Sequence, residues 1–256
     1  MKKNSLILAI MLMGSVATFA QKQGLEGVIG TVVGAATGTG STTSSGNSGV
    51  NFTQSQAADA IKEALMKGIT EGIKKVAVKD GYVGDSLIKI PFPKEAAIIQ
   101  QTLKMVGASS LTDKLVVQLN RAAEGAAKEA GPIFLSSIKQ LTINDAINIV
   151  SNKQSDAATQ FLKRTTTNQL VTAFRPKIKA VLDKTGTTTL WTQIMNTYNK
   201  VPFVQKINPD LTDYVTRKGL DGLFYMVAQE EGKIRKDPKA QTSQILTTVF
   251  GSLLGK

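Results

Sequence analysis

The sequence predicts an all-α protein: a single multi-helix domain of about eight to ten helices, with a long, largely buried helix near its C-terminus. Three observations carry this. Apolar residues recur at three- and four-residue steps through almost every segment after Phe52. Helix start and stop signals bracket those segments, and no stretch of strict alternation is long enough for a strand. At 256 residues, 42% hydrophobic and 20% charged, the chain can bury a sizeable core and is too apolar for a disordered protein. It contains neither Cys nor His. That excludes a disulfide framework, a thiol nucleophile, a lipidated cysteine, Cys or His zinc sites, and catalysis through an imidazole.

Residues 1–20 read as a signal peptide rather than as fold. Lys2 and Lys3 form a positive n-region, Leu6–Met13 an apolar h-region, and Thr18-Phe19-Ala20 a small-residue cleavage pattern before Gln21. The expected address is export, with the periplasm first and secretion or surface association as alternatives. Residues 21–52 read as a flexible leader. Of the 26 residues 24–49, 17 are Gly, Ser or Thr, and only Glu26 is charged. Gly24–Gly38 carries a G-x-x-x-G-like spacing but is too short and glycine-rich for a membrane span. No later stretch is apolar enough to cross a bilayer once the signal is removed.

The helical domain is expected over 53–256. Thr53-x-x-Gln56 forms a capping box ahead of Ile61, Leu65, Ile69, Ile73 and Val76. Gly81-Tyr82-Val83-Gly84 breaks this helix, and Ile88–Pro93 is extended because each proline biases its predecessor away from the α region. Further helices are expected from about Lys94 to Met105, stopping at Gly107, and from Ser110 to Glu129, stopping at Gly131-Pro132. Shorter ones follow over 133–140, 143–151 (capped by Thr142 with Asp145 at its third position) and 155–165. A segment over 167–184 contains Pro176, which should kink or split it. Another runs from about Thr188 to Lys200.

Asn208-Pro209-Asp210 supplies an N-cap, a first-position proline and a first-turn acid for a long helix to Lys236. Leu211, Val215, Leu220, Leu223, Phe224, Met226 and Val227 wrap most of its circumference, so it should be central, and Gly219 and Gly222 leave room for a neighbouring helix. Asp237-Pro238 repeats the start signal for a last helix to about Phe250.

Several stretches resemble the domain of unknown function 4197 family. They are Leu119-Asn120-Arg121-Ala122-Ala123-Glu124, Ala157–Leu162, Tyr198–Phe203, Asp213–Thr216, Asp221–Phe224 and Glu231–Arg235, in that order. The resemblance covers roughly residues 53–251. It implies an exported bacterial helical domain with no assigned activity. Many relatives resemble lipoproteins with a cysteine after the signal, and this chain has none, so a lipid anchor is not implied.

Charge is uneven. Residues 21–150 carry 13 basic and 11 acidic side chains, and 151–256 carry 16 and 8. Basic and aromatic residues interleave at Phe161–Arg164, Phe174–Lys177 and Tyr198–Lys200. Nucleic acid is disfavoured as a partner, because the rings sit at core spacing and the cations beside them read as solvated; an anionic envelope polymer or lipid headgroup suits the charge and the address better.

Two polar clusters are candidate site residues. Asn120, Arg121 and Glu124 share one helix face, opposite Leu111, Leu115, Leu119, Ala122 and Ala126. Glu124 can reach Arg121 and Lys128. Asp221 shares a face with Arg217, Lys218, Tyr214 and Tyr225, and on so apolar a helix is expected as a buried acid held by Arg217. Glu230 and Glu231 diverge by about 100° and cannot face one substrate. No catalytic residue, cofactor or metal ligand is assigned.

The sequence therefore points to a non-catalytic exported module that binds an envelope partner or ligand. One alternative is a His-free hydrolase or lyase using Glu124 or Asp221 as acid/base. Another is a carrier holding an apolar ligand between helices. Export has its own test: protein recovered from the envelope should begin at Gln21 by N-terminal mass analysis, and an intact Met1 there would refute it.

Overall fold

Eight α-helices of nine residues or more, and no strand, are found among the described residues. The computed structural model describes residues 52–105, 107, 109–200, 202–203, 206 and 210–254. Residues 1–51, which the sequence reads as a signal peptide, its cleavage site and a leader, lie outside them, as do Asn208 and Pro209.

Helix α1, Gln54–Val76, begins at the expected box: Gln56 N–H donates to Thr53 Oγ1, and Thr53 N–H to Gln56 Oε1. It buries Ala57, Ile61, Leu65, Ile69 and Val76 in one stripe. After an irregular segment over 77–93, a 3-10 turn Lys94–Ala96 leads into α2, Ala97–Met105. Gly107, at φ +74, turns the chain into α3, Ser109–Ala127.

Helix α4 spans Ala130–Lys139, so Gly131-Pro132 does not stop α3 but lies in the first turn of α4. A first-turn proline forfeits no intrahelical bond, since the first N–H groups have no partner there. Helix α5, Ile143–Ser151, has the expected Thr142/Asp145 box.

Helix α6 runs unbroken over Ala157–Lys184, where two helices, with a kink or break at Pro176, were expected. The reason is a buried stripe at four-residue spacing on both sides of the proline: Leu162, Thr166, Leu170, Phe174, Ile178 and Leu182. Burying Phe174, Ile178 and Leu182 is worth about 1.5–3 kcal/mol each. An interior proline costs about 3 kcal/mol. Packing wins.

Helix α7, Thr187–Tyr198, places Trp191 edge-on to Phe92, with ring centroids 5.6 Å apart. Helix α8, Leu211–Lys236, is the centre of the bundle and packs on α1, α3 and α6. Its first residue is Leu211, and Asp210 is the N-cap rather than a first-turn acid, accepting from Asp213 N–H at 3.0 Å. A side-chain acceptor at that position satisfies an N–H left over by the helix start.

Gly219 does admit a helix, for a Cβ there would stand 3.2 Å from Ala123 Cβ. Gly222 instead faces the ring of Tyr82 in the 77–93 segment. Gly72 of α1, unremarked in the sequence, brings α1 against Val227 in the same way.

The last helix is also different. Asp237 caps only the 3-10 turn Pro238–Ala240; Ser243 then starts Gln244–Leu246, which passes through a π-helical turn, Thr247–Gly251, into Ser252–Leu254. Lys67 of α1 reaches Ala240 O and Thr242 Oγ1, fastening this segment to the bundle.

One buried carboxylate joins three elements. Glu231 of α8 accepts from Ala158 N–H at 2.8 Å, Thr159 N–H at 2.7 Å and the Thr159 hydroxyl at 2.8 Å. It caps α6, whose own N-cap Asp156 makes no such bond. Arg235 Nε donates to Glu231 at 2.9 Å and its Nη2 to Ile149 O at the end of α5. Glu230 points elsewhere, to Lys75 and Lys233.

Glu231→Ala should therefore strand Arg235 and orphan two buried N–H groups, costing about 3–5 kcal/mol of the roughly 5–15 kcal/mol of a typical domain. Glu230→Ala should cost about 1 kcal/mol or less, because its lysine partners stay in water. Urea unfolding of both variants tests this, and equal losses would refute it.

Candidate functional site

The segment 77–93 has few helical bonds of its own, so its buried backbone groups need acceptors and donors from elsewhere. Helix α3 supplies them. The Asn120 amide pairs with Ile90 in both directions: Oδ1 accepts from Ile90 N–H at 2.9 Å, and Nδ2 donates to Ile90 O at 2.9 Å. Its second amide proton goes to Val116 O. A primary amide has the donor and acceptor geometry of a neighbouring strand, which suits an extended chain that has none.

One turn on, Glu124 Oε1 accepts from Tyr82 N–H at 3.2 Å, and Oε2 from Arg121 at 2.6 Å. The other arm of Arg121 reaches Asp80, which sits in a left-handed turn at φ +67. The hydrogen bonds to Glu124 and Asp80 hold the guanidinium pKa above its usual range.

The Tyr82 ring is fully buried against Gly222, and its hydroxyl donates to Gly219 O at 2.6 Å. Burial, with the nearby Glu124 charge, pushes the phenol well above its ordinary range. The residues Asn120, Arg121 and Glu124 are thus brought together, with Asp80 and Tyr82, as an inter-element clamp. Leu119, Ala122 and Ala126 are buried as well, so this half of α3 is covered on both faces. Leu111, on the face opposite the polar cluster, is exposed, and Lys128 does not join Glu124, whose oxygens are already engaged.

Arg217 and Asp221 stand apart from this clamp, and not as expected. Asp221 is 58% exposed, with Lys218 at 3.9 Å and Lys163 at 4.0 Å; Arg217 pairs with Asp213 at 2.8 Å. The apolar wrap of α8 leaves a strip through 214, 217, 218, 221 and 225 that faces away from the bundle. Arg217, one turn from either acid, takes Asp213, which Arg175 also contacts.

The clamp has a consequence for the surface. Holding Ile88 and Ile90 close to α8 creates an open cleft of ≈ 420 Å³ between residues 87–94 and the outer strip of that helix. Lys89, Lys94 and Lys218 line it with Tyr214 and Tyr225, and among the described residues Asp221 is the single carboxylate in the lining. Tyr214 ties the rim by donating to Pro91 O at 3.1 Å.

Sequence reasoning had grouped Tyr214, Lys218, Asp221 and Tyr225 on one face. It missed Lys89 and Lys94, whose signal was their place in and just after the proline-bounded segment. Of the interleaved rings, Phe161 and Phe174 are buried as core, with Arg164, Arg175 and Lys177 exposed; the Tyr198 side chain lies outside the described residues. Among the described residues no three Asp or Glu gather as metal ligands, and no helix is long and apolar enough to cross a membrane.

Residues 51–251 match the model of one protein family, described as a protein of unknown function (DUF4197). No curated protein and no solved structure matches the chain.

The clamp is testable through pH. Tyr82 ionises near pH 10 in the unfolded chain and only well above that when folded. Its contribution to stability is therefore whole below about pH 10 and is lost as pH rises further. Tyr82→Phe should cost about 1 kcal/mol at neutral pH through the lost Gly219 bond. That deficit should shrink and then reverse above about pH 10. A deficit independent of pH in urea unfolding would show that the phenol is not held neutral.

Proposed function

Since the chain belongs to the DUF4197 family, whose description carries no activity, we propose that this helical domain is a non-catalytic binding module of the cell envelope that takes an anionic group in the cleft between residues 87–94 and α8. The observation that carries the reading is the charge balance of that cleft. Among the described residues of its lining, three lysines face one aspartate. The Lys218–Asp221 pair is long and exposed, worth little, and easily exchanged for a ligand oxyanion. The signal-like residues 1–20 support the envelope address.

An acid/base enzyme would require two groups converging on a substrate. Among the described residues Asp221 has no second carboxylate beside it in the cleft lining, and Glu124 lies outside with both oxygens engaged. An apolar carrier would require an enclosed chamber. The cavity between Leu65, Val227, Ile234 and Phe250 offers ≈ 10 Å³, scarcely one water.

Calorimetric titration with sn-glycerol 3-phosphate tests the anion reading. Lys89→Glu with Lys218→Glu should lower affinity at least about tenfold, and Asp221→Asn should raise it by up to about fivefold. Binding should weaken between about 0.01 and 0.15 M salt, as the screening length falls from about 30 to 8 Å. Affinity indifferent to these lysines would overturn the reading.

A further inference from the structure

Beside the cleft stands a helical hairpin with an unusual surface. Helix α2 packs chiefly on α3 and on the turn before it. Every α2 residue whose side chain is described is exposed, except Ile99. Ile98 and Met105 lie seven residues apart, on one face of α2, and Leu111 follows beyond the Gly107 turn. With Leu87 and Val117 they make five of the eleven large apolar residues exposed among the described ones. Met105 is 79% exposed and Leu87 70%. Four of these, Ile98, Met105, Leu111 and Val117, fall within residues 98–117, in α2 and the first half of α3, a concentration that marks a contact surface rather than chance exposure.

The charges around it define what the surface meets. Residues 87–117 hold four lysines, at 89, 94, 104 and 114, against Glu95 and Asp113. Lys89 and Lys94 also line the cleft, and Lys94 stands three residues before α2, so the cationic cleft adjoins the start of the hairpin. Ile98, Met105 and Leu111 do not line that cleft; exposed on the hairpin, they can enter a soft apolar medium but do not enclose a small ligand. A second copy would bring like charge onto like charge, on a chain carrying a formal +12. Apolar side chains ringed by lysines complement the boundary of an anionic bilayer, where the chains reach the acyl region and the ammonium groups stay with the phosphates.

We infer that the α2–α3 hairpin docks this protein on an anionic lipid surface, inserting Ile98, Met105 and Leu111 while Lys89, Lys94 and Lys218 engage lipid phosphate. The inference rests on the cleft being an anion site and names the lipid headgroup as the source of the anion.

The test is cosedimentation of the full chain with phosphatidylcholine vesicles with and without phosphatidylglycerol, alongside titration with soluble sn-glycerol 3-phosphate. The protein should bind the phosphatidylglycerol vesicles alone. Met105→Glu with Leu111→Glu should lower vesicle binding at least about tenfold while leaving the glycerol phosphate titration and the melting curve unchanged. Met105→Leu should sediment like the parent.

If the double variant sediments like the parent, or the parent ignores phosphatidylglycerol, the membrane inference falls, even where glycerol phosphate still binds. Because Leu6–Met13 is itself apolar, vesicle binding that survives the hairpin substitutions is counted against the inference. Failure of the cleft reading is distinct: glycerol phosphate binding would then be indifferent to Lys89 and Lys218.

Discussion

A buried backbone N–H must find an acceptor, and in this domain four such groups are served by three side chains from another element. Asn120 serves Ile90, Glu124 serves Tyr82, and Glu231 serves Ala158 and Thr159. Each solution uses a group that is itself expensive to bury, so each must be fully engaged to be tolerated. Glu231 is completed by Arg235, Glu124 by Arg121, and Asn120 by the carbonyls of Ile90 and Val116. These bonds specify which pieces of chain meet, where apolar packing alone would accept several arrangements. The rest of the bundle is assembled around them.

The second constraint is the tightness of the approach to α8. A Cβ on Gly222 would stand 2.7 Å from the Tyr82 ring, and one on Gly72 would stand 3.2 Å from Val227. Removing side chains at these points lets α1 and the 77–93 segment lie on the helix backbone. Tyr82 then reaches Gly219 O, a helix carbonyl with a lone pair to spare. The cleft is a by-product of this closeness: an extended segment drawn onto α8 by buried contacts leaves its solvent side and the outer strip of the helix facing one another.

That origin explains a division of labour among the polar residues. The most deeply buried ones build the wall, and the exposed ones give the wall its charge. Glu124 and Asn120 bear on the cleft only by holding Tyr82 and Ile90, and with them the 77–93 segment, in place. Lys89, Lys94 and Lys218 have no comparable structural task, and Asp221 is only loosely engaged. A surface with so little internal pairing is free to exchange its counter-charge, as an anion site or a lipid-facing surface requires.

Local signals were enough for much of the fold. The Thr53/Gln56 and Thr142/Asp145 boxes, the turn at Gly107, and the apolar spacing of α1 and α8 each depend on residues within a few positions, and each is visible in the sequence. The polar run Asn120, Arg121 and Glu124 was legible as a cluster for the same reason. What the sequence could not decide was settled by distant partners. Pro176 is carried through α6 because buried neighbours on both sides outweigh its cost. Arg217 takes Asp213 rather than Asp221, because the strip they share points to water. Glu231 caps a helix more than seventy residues away. Lys89 and Lys94 become one wall of a cleft only when α3 and α8 draw their segment in. Helix periodicity and capping are properties of neighbouring residues, whereas the direction a face points and the choice of ion partner depend on what the completed bundle leaves in water.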